Sequence, residues 1–462
     1  MNAMPHTVDV AKLLDERRLS SFNYVLIAVS VIITVFDGLD AMMISYAAPY
    51  MHDEFGFTKT AQGYIFGAGT AGMVIGGLVL TYVGDRVGRR WTVIGCAFAF
   101  GLLTIATAFA QSFWSLVALR LLDGIALGGM LPLAWALNIE FAPKRVRATV
   151  VAIVMFGYSL GSAIAGPLTN LVAAPATKGG LGYGWEGVYL VGGVGTLLCS
   201  LVLLVTLPES IRFLITKGLK PDLVAATIRK LERGSNVTAQ DRFILSDEPE
   251  NKSSVPLHQL FEGKLMWITP ILAVAYFASA LAIYFASSWG PTVLEELEIP
   301  RQTAAYVAAI GGILGASTGI ALMWVNDRRG LMTVAIVPAL AVVVLLSVGL
   351  GLLPPVLFLP AIILQAMLIG GEHASVISIS GTYYPSAVRA SGAGLVSSIG
   401  KIGGALAPVI GAAVLSSGIP ILRSYALLAV CPLLLCLCML SIAMVLRGPV
   451  HTRPEPDVVP AS

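Results

Sequence analysis

Apolar residues run in stretches of about twenty along almost the whole chain, separated by short polar turns. They fall at approximately 22–50, 61–83, 92–111, 114–138, 148–173, 185–207, 265–290, 302–325, 333–352, 356–381, 391–415 and 423–446. At about 1.5 Å of rise per residue, an α-helix of that length crosses about 30 Å of hydrocarbon. The pattern therefore predicts an all-α membrane protein with twelve transmembrane helices. One connection, 208–264, is long and polar and separates six spans from six. The expected organisation is a tail at 1–21, a six-helix half at 22–207, the central loop at 208–264, a second half at 265–446 and a tail at 447–462. Within the loop, Pro221 to Arg233 reads as partly helical and Ser246 to Ser254 as irregular. The first apolar run is too long for a cleavable signal and carries Asp37 and Asp40, so it reads as the first span.

The two halves repeat. A shift of 242 positions lays Asp85-Arg86-x-Gly88 on Asp327-Arg328-x-Gly330 and Pro143-x-x-Val146-Arg147 on Pro385-x-x-Val388-Arg389. The same shift lays Gly128-Gly129 on Gly370-Gly371, Gly161 on Gly403 and Pro49 on Pro291. One constant offset satisfying five landmarks indicates two pseudo-symmetric six-helix halves, an arrangement found in secondary transporters.

Composition narrows the classes. The 462 residues are 56% hydrophobic and 12% charged, about half the charge of an ordinary soluble domain. That argues against a soluble enzyme, a coiled coil and a disordered chain. A net charge of +3 with no basic cluster gives no footing for nucleic acid. With the amino terminus placed in the cytoplasm, 23 of the 29 lysines and arginines fall on the cytoplasmic side and four outside, while Arg120 and Lys401 lie within spans. The positive-inside bias thus puts both termini in the cytoplasm. The five cysteines sit in apolar stretches without the setting of a metal ligand, and no cofactor or metal is expected.

Ionisable side chains inside spans carry the chemistry, because charge in hydrocarbon is costly. Asp37-Gly38-Leu39-Asp40 puts two carboxylates three residues apart, on nearly one face of the first helix. Two acids this close in a medium of low dielectric resist being charged together, which suits a proton carrier. Their counterparts in the second half are Ser279 and Ala282, so they are not part of the repeated scaffold. Arg120 and Asp123 lie one turn apart in the fourth span, beside Gly124 and Gly128. Arg120 serves equally as an ion-pair partner for Asp123 or helix one and as a substrate ligand. Glu372-His373 adds an acid and the only imidazole within a span. Both join the proton-coupling candidates, with hydrogen bonding between helices as the alternative for His373. Tyr284 and Trp289 in the seventh span offer rings for stacking, or plain packing. The turn Gly84-Asp85-Arg86-Val87-Gly88-Arg89-Arg90 and its Asp327-Arg328 copy read as a gate and hinge.

DGLD followed by Pro49, GDRVGRR, RLLDGIALGG, Glu140 before a basic turn, PESIRFL (208–214) and YYPSAVRASGAG (383–394) together resemble the aromatic acid:proton symporter family of the major facilitator superfamily. The resemblance covers nearly the whole chain, and the DGxD pair is its discriminating element. It implies a monomeric carrier in a bacterial inner membrane that imports a small organic anion with a proton, the anion being a benzoate-type acid. It assigns proton coupling to Asp37 and Asp40 and gating to Asp85, Asp327 and Arg389, with Glu140 and Arg147 in the same loop-side motifs. The chain departs from the family at Lys401, where an arginine is usual, and at Glu372-His373, where a neutral polar residue is usual. Lys401 is the first choice for holding a carboxylate and Arg120 the second. A proton-coupled exporter, a symporter of muconate or dicarboxylate type, and a membrane sensor of transporter ancestry are the alternatives.

Overall fold

The computed structural model describes residues 6–231, 237–247, 257–329, 335–382, 384 and 388–447. A strand β1 (Thr7–Asp9) and a short helix α1 (Val10–Glu16) precede six long helices. These are α2 (Ser21–Phe55), α3 (Lys59–Val87), α4 (Arg89–Thr107), α5 (Phe113–Phe141), α6 (Arg147–Ala173) and α7 (Gly184–Thr206). The central segment holds α8 (Ile211–Thr216), α9 (Pro221–Leu231) and β2 (Arg242–Ile244). The second set is α10 (Leu265–Glu296), α11 (Arg301–Arg329), α12 (Ile336–Gly349), α13 (Pro355–Thr382) and α14 (Arg389–Ser416). A last crossing follows as α15 (Arg423–Leu428) and α16 (Val430–Arg447). The break at Ala429 has a local cause: Pro432 lacks an N–H and crowds the carbonyl four residues back.

Among the described residues, eleven helices are long and apolar enough to cross a membrane, and Ile336–Gly349 supplies a shorter twelfth. The protein is a multi-pass membrane protein with the twelve-helix arrangement that the apolar pattern predicts. Ser20 and Asn23 cap the start of α2, and Gly56 ends it in the left-handed region at φ 66°.

Glycine contacts repeat with the same 242-residue offset as the sequence. Gly161 of α6 rests on the Val35 carbonyl of α2, and Gly403 of α14 rests on the Phe277 carbonyl of α10. Gly128 meets α3 at Met73, and Gly370 meets α11 at Gly315. In each set the inner pairs are therefore α2 with α6 and α3 with α5, then α10 with α14 and α11 with α13. A side chain at these positions would displace a neighbouring backbone, so close helix approach depends on the missing Cβ.

The two sets meet through α3–α14, α6–α11 and α2–α10. One apolar core containing Met43, Phe66, Trp185, Phe285 and Trp289 spans both sets near the ends away from the termini, the distal side. On the side of the termini and central segment, the loop side, each set has a core of its own.

The tail and central segment form a small folded unit on the first set. β1 pairs in parallel with β2, Val8 opposite Phe243. The apolar face of α9 (Val224, Ile228, Leu231) joins Val10 and Leu14 in the core of that set. Arg212 donates to both oxygens of Asp247, at 3.0 and 2.5 Å, and these bonds hold that carboxyl below the usual carboxylate range. The sequence reading has residues 1–21 as a tail without structure of its own. Its alternating Val8, Val10 and paired leucines are what the central segment covers. The irregular stretch at 246–254 lies outside the described residues beyond Asp247, as do Gly330, Pro385 and the tail from 448.

Candidate functional site

Three groups of polar side chains occupy the bundle. The first lies inside the first set. Arg120 projects from α5 and uses one nitrogen, Nη1, for two bonds: to Asp40 Oδ2 at 2.9 Å and to Asp123 Oδ2 at 2.8 Å. Thr104 Oγ1 adds a long bond of 3.5 Å to the other oxygen of Asp123. All three charged residues are at most 3% exposed. The ion-pair reading of Arg120 is thus the arrangement present. Asp37, one turn before Asp40 and also buried, makes no bond to Arg120; its Oδ2 has no partner among the described residues. Tyr158 of α6 and Tyr284 of α10 lie near Asp37 and near each other, and α2 packs on α10 of the other set, so Asp37 lies near the seam between the sets. Spacing predicts the two acids on one face; the structure gives them different company.

The second group lies across that seam. Ser279, the repeat counterpart of Asp37, contacts His373 of α13 at 3.1 Å, and Tyr276 stands edge-on to the imidazole at 5.5 Å. Glu372 points elsewhere: it is wholly buried, both carboxylate oxygens lack partners among the described residues, and Cys431 and Cys436 lie near it. Lys401 of α14 is exposed, and its Nζ lies where a Cβ on Gly77 of α3 would sit 3.3 Å away. No acidic partner for it occurs among the described residues. Trp289 does not join this group. It is wholly buried, donates its indole N–H to the Pro408 carbonyl at 3.0 Å and stands edge-on to Phe66 at 5.3 Å. There it stitches the sets together on the distal side.

The third group clamps the loop side of the first set. Glu209, from the segment after α7, accepts from the backbone N–H of Arg89 (2.9 Å) and Arg90 (3.2 Å) at the start of α4. Gly88 has φ 118°, and a Cβ there would meet Glu209 Oε2 at 2.5 Å, so this turn admits only glycine. Arg89 pairs with Glu140 and, at 3.4 Å, with Asp85; Glu140 also accepts from Ser210 Oγ at 2.5 Å. Arg147 reaches Asp15 at 2.7 Å. Arg86 lies over the Tyr82 ring at 4.4 Å, and Arg90 donates to the Leu204 carbonyl at 2.6 Å. Gly84 packs on Leu133. Sequence reasoning missed Glu209 and Ser210 as partners, although both lie within the PESIRFL motif. The copies Asp327, Arg328 and Arg389 lie at helix ends, and their side chains are outside the described residues.

Polar contacts between the two sets gather on the distal side. Lys59 pairs with Glu296 at 2.8 Å and Arg301 with Asp53 at 2.9 Å, while Glu295 of the second set itself holds Arg301 at 2.5 Å. Asn170 donates to the Arg301 carbonyl at 3.1 Å, and the Tyr50 ring lies beneath that guanidinium at 4.5 Å. Among the described residues no such bond joins the sets at the loop side. Among the described residues, the two sets are therefore joined on the distal side and have separate cores on the loop side. These pairs are partly exposed and contribute about 0–1 kcal/mol each, a bias small enough to reverse. Arg301→Ala should tip the balance toward distal opening. Hydrogen exchange at 53–60 and 294–302 is then expected to quicken severalfold while the loop-side helix ends become more protected; unchanged exchange at both ends would deny these pairs a gating role.

Two six-helix sets around a seam, joined at one end, define a secondary carrier working by alternating access. A match to the Major Facilitator Superfamily covers residues 30–408. The chain is 31% identical to the gallate transporter of Pseudomonas putida, over 89% of this chain and 90% of that protein. It is 28% identical to the 4-hydroxybenzoate transporter PcaK of Pseudomonas putida, over 90% and 92%. The inward-open xylose transporter XylE of E. coli superposes with a TM-score of 0.72 at 17% identity, over 91% of this chain and 96% of that one. The chain belongs to the major facilitator superfamily, in its aromatic-acid branch. As a member of a transporter family, it is not an enzyme.

Proposed function

We propose that this protein imports a small aromatic carboxylate of benzoate or hydroxybenzoate type together with a proton. The observation that carries the reading is the charge balance of the buried group: three carboxylates, Asp37, Asp40 and Asp123, share one guanidinium, Arg120, which bonds only the last two. Hydrocarbon does not tolerate that surplus of two negative charges, so the group takes up at least one proton in part of the cycle. Asp40 and Asp123 are held by Arg120. Asp37 has a free oxygen and lies near the seam, and it is the proton carrier. The relatives named for gallate and 4-hydroxybenzoate supply the substrate class. Lys401, exposed without an acidic partner among the described residues, receives the carboxylate. Arg120, its nitrogen Nη1 shared by two acids, acts as the structural cation. Tyr284 flanks the substrate path beside Asp37. The loop-side clamp built on Asp85, Arg89, Glu140 and Arg147 steadies the inner gate, with Asp327, Arg328 and Arg389 as its copies. Glu372 is a reserve proton site, and Trp289 acts through packing.

The bias of 23 basic residues to four supports cytoplasmic termini, with the distal side outside. The domain limits at 22–207 and 265–446, a bacterial inner-membrane location and a monomeric carrier complete the reading.

The test is reconstitution in liposomes with an imposed pH gradient. Uptake of labelled 4-hydroxybenzoate should make the outer medium more alkaline in step with the anion entering. Uptake without any pH change would reject proton symport, and failure to move any aromatic acid would reject the substrate class. A charge-assisted bond to the carboxylate is worth about 1.5–3 kcal/mol, so Lys401→Ala should raise KM about tenfold or more. Lys401→Arg should stay near the parent value. Equal KM values in the two variants would remove Lys401 as the anion site.

A further inference from the structure

The second group contains a selectivity device that follows from counting protons. Ser279 has a single hydroxyl hydrogen, and its Oγ donates it to the Tyr276 carbonyl at 3.0 Å. A carbonyl can only accept, so that direction is fixed. With its hydrogen on that carbonyl, Ser279 offers His373 Nδ1, at 3.1 Å, a lone pair, which favours the tautomer with the hydrogen on Nδ1. In the neutral imidazole this leaves Nε2 as a bare acceptor. Nε2 has no protein partner among the described residues, nor is it among their buried unpartnered atoms, so it keeps some accessible surface.

That surface is toward the seam rather than lipid. His373 lies nine residues from Leu364, half a turn around α13 at about 100° per residue. Leu364, with Leu357, is exposed on the opposite, lipid-facing side of the helix. Ser279 occupies the repeat position of Asp37, so the imidazole stands at the depth of the proton carrier, on the other side of the pseudo-axis. Tyr276, edge-on at 5.5 Å, fixes the ring plane. Glu372 is turned about 100° away around the helix and takes no part.

A bare nitrogen lone pair repels a carboxylate and welcomes an O–H. We propose that His373, set as the Nδ1–H tautomer by Ser279, accepts the ring hydroxyl of the substrate through Nε2 and makes the carrier select hydroxylated aromatic acids over unsubstituted ones. The inference rests on the reading of the site as an aromatic-carboxylate path. It also orients the guest, with the hydroxyl at His373 and the carboxylate away from it, toward Lys401. His373 is the contact residue and Ser279 the positioning residue.

The experiment compares initial uptake of benzoate, 3- and 4-hydroxybenzoate and 4-methoxybenzoate by the full chain in liposomes. The parent protein should favour a hydroxybenzoate over benzoate, and over the methyl ether that cannot donate, by about tenfold in kcat/KM, the scale of one buried hydrogen bond. His373→Gln, whose amide oxygen can take the place of Nε2, should keep most of that ratio. His373→Asn and His373→Phe should bring it near one, through faster loss of the hydroxylated acids than of benzoate. Ser279→Ala, which frees the tautomer, should lower the ratio without abolishing benzoate uptake. A parent protein that carries all four acids equally overturns the inference, as does a ratio unmoved in His373→Asn and Ser279→Ala. Both results leave the substrate class standing. A parent protein that carries none of the acids overturns the class and the inference together. The methyl-ether comparison needs no variant, so misfolding of a mutant cannot shield the idea.

Discussion

Asp37→Asn is expected to abolish accumulation while exchange continues. Asparagine keeps the shape of the side chain but cannot carry a proton, so the carrier can still cycle with its anion and loses its coupling. One proton moving with one monoanion is electroneutral and draws only on the pH gradient. A one-unit gradient is worth about 1.36 kcal/mol, which supports roughly tenfold accumulation. The parent protein in liposomes should approach that ratio; Asp37→Asn should stop at equal concentrations inside and out. Counterflow of labelled against unlabelled acid should persist, which separates lost coupling from lost folding. Asp40→Asn should behave differently, because Asp40 is bonded to Arg120 at 2.9 Å and Asp37 is not. It should impair both accumulation and exchange. Full accumulation by Asp37→Asn would take the proton role from this residue.

The distinction between these two acids marks the limit of the sequence. Helix spans were legible because hydrocarbon thickness imposes a length, and the repeat was legible because each half solves one packing problem. The offset of 242 even survives at contact level, in Gly161 on Val35 and Gly403 on Phe277. Charged residues inside spans were legible because their cost makes them rare. Which of them pair was not, since Arg120 is one turn from Asp123 but eighty positions from Asp40. The same holds for Glu209 on the first turn of α4 and for the distal pairs of Arg301. Those contacts are fixed by how helices distant in sequence are brought together. Trp289 and Tyr284 looked alike as span-seven aromatics, yet one is a buried stitch and the other lies near the seam. Helical phase alone separates them, and the seam had first to be located.

Arg120→Leu tests the other half of the charge balance and should cost more stability than any other single change in the membrane-embedded group. It would leave Asp40 and Asp123, at most 2% exposed, facing each other with no cation between them. Removing one member of a buried ion pair costs about 3–5 kcal/mol. At roughly 2–4 °C per kcal/mol, the unfolding midpoint in detergent should fall by about 10 °C. Because both bonds come from one nitrogen, an ammonium can replace them, and Arg120→Lys should recover most of the loss. Neutralising the acids as well, in Arg120→Leu with Asp40→Asn and Asp123→Asn, should restore stability too, since no ionised pair is then left without its cation and Asp37 can take up a proton. If Arg120 instead held the substrate, Arg120→Leu would weaken uptake and leave the midpoint in place. A stable Arg120→Leu protein would thus return the guanidinium to the substrate path and leave the negative cluster without its counter-ion role.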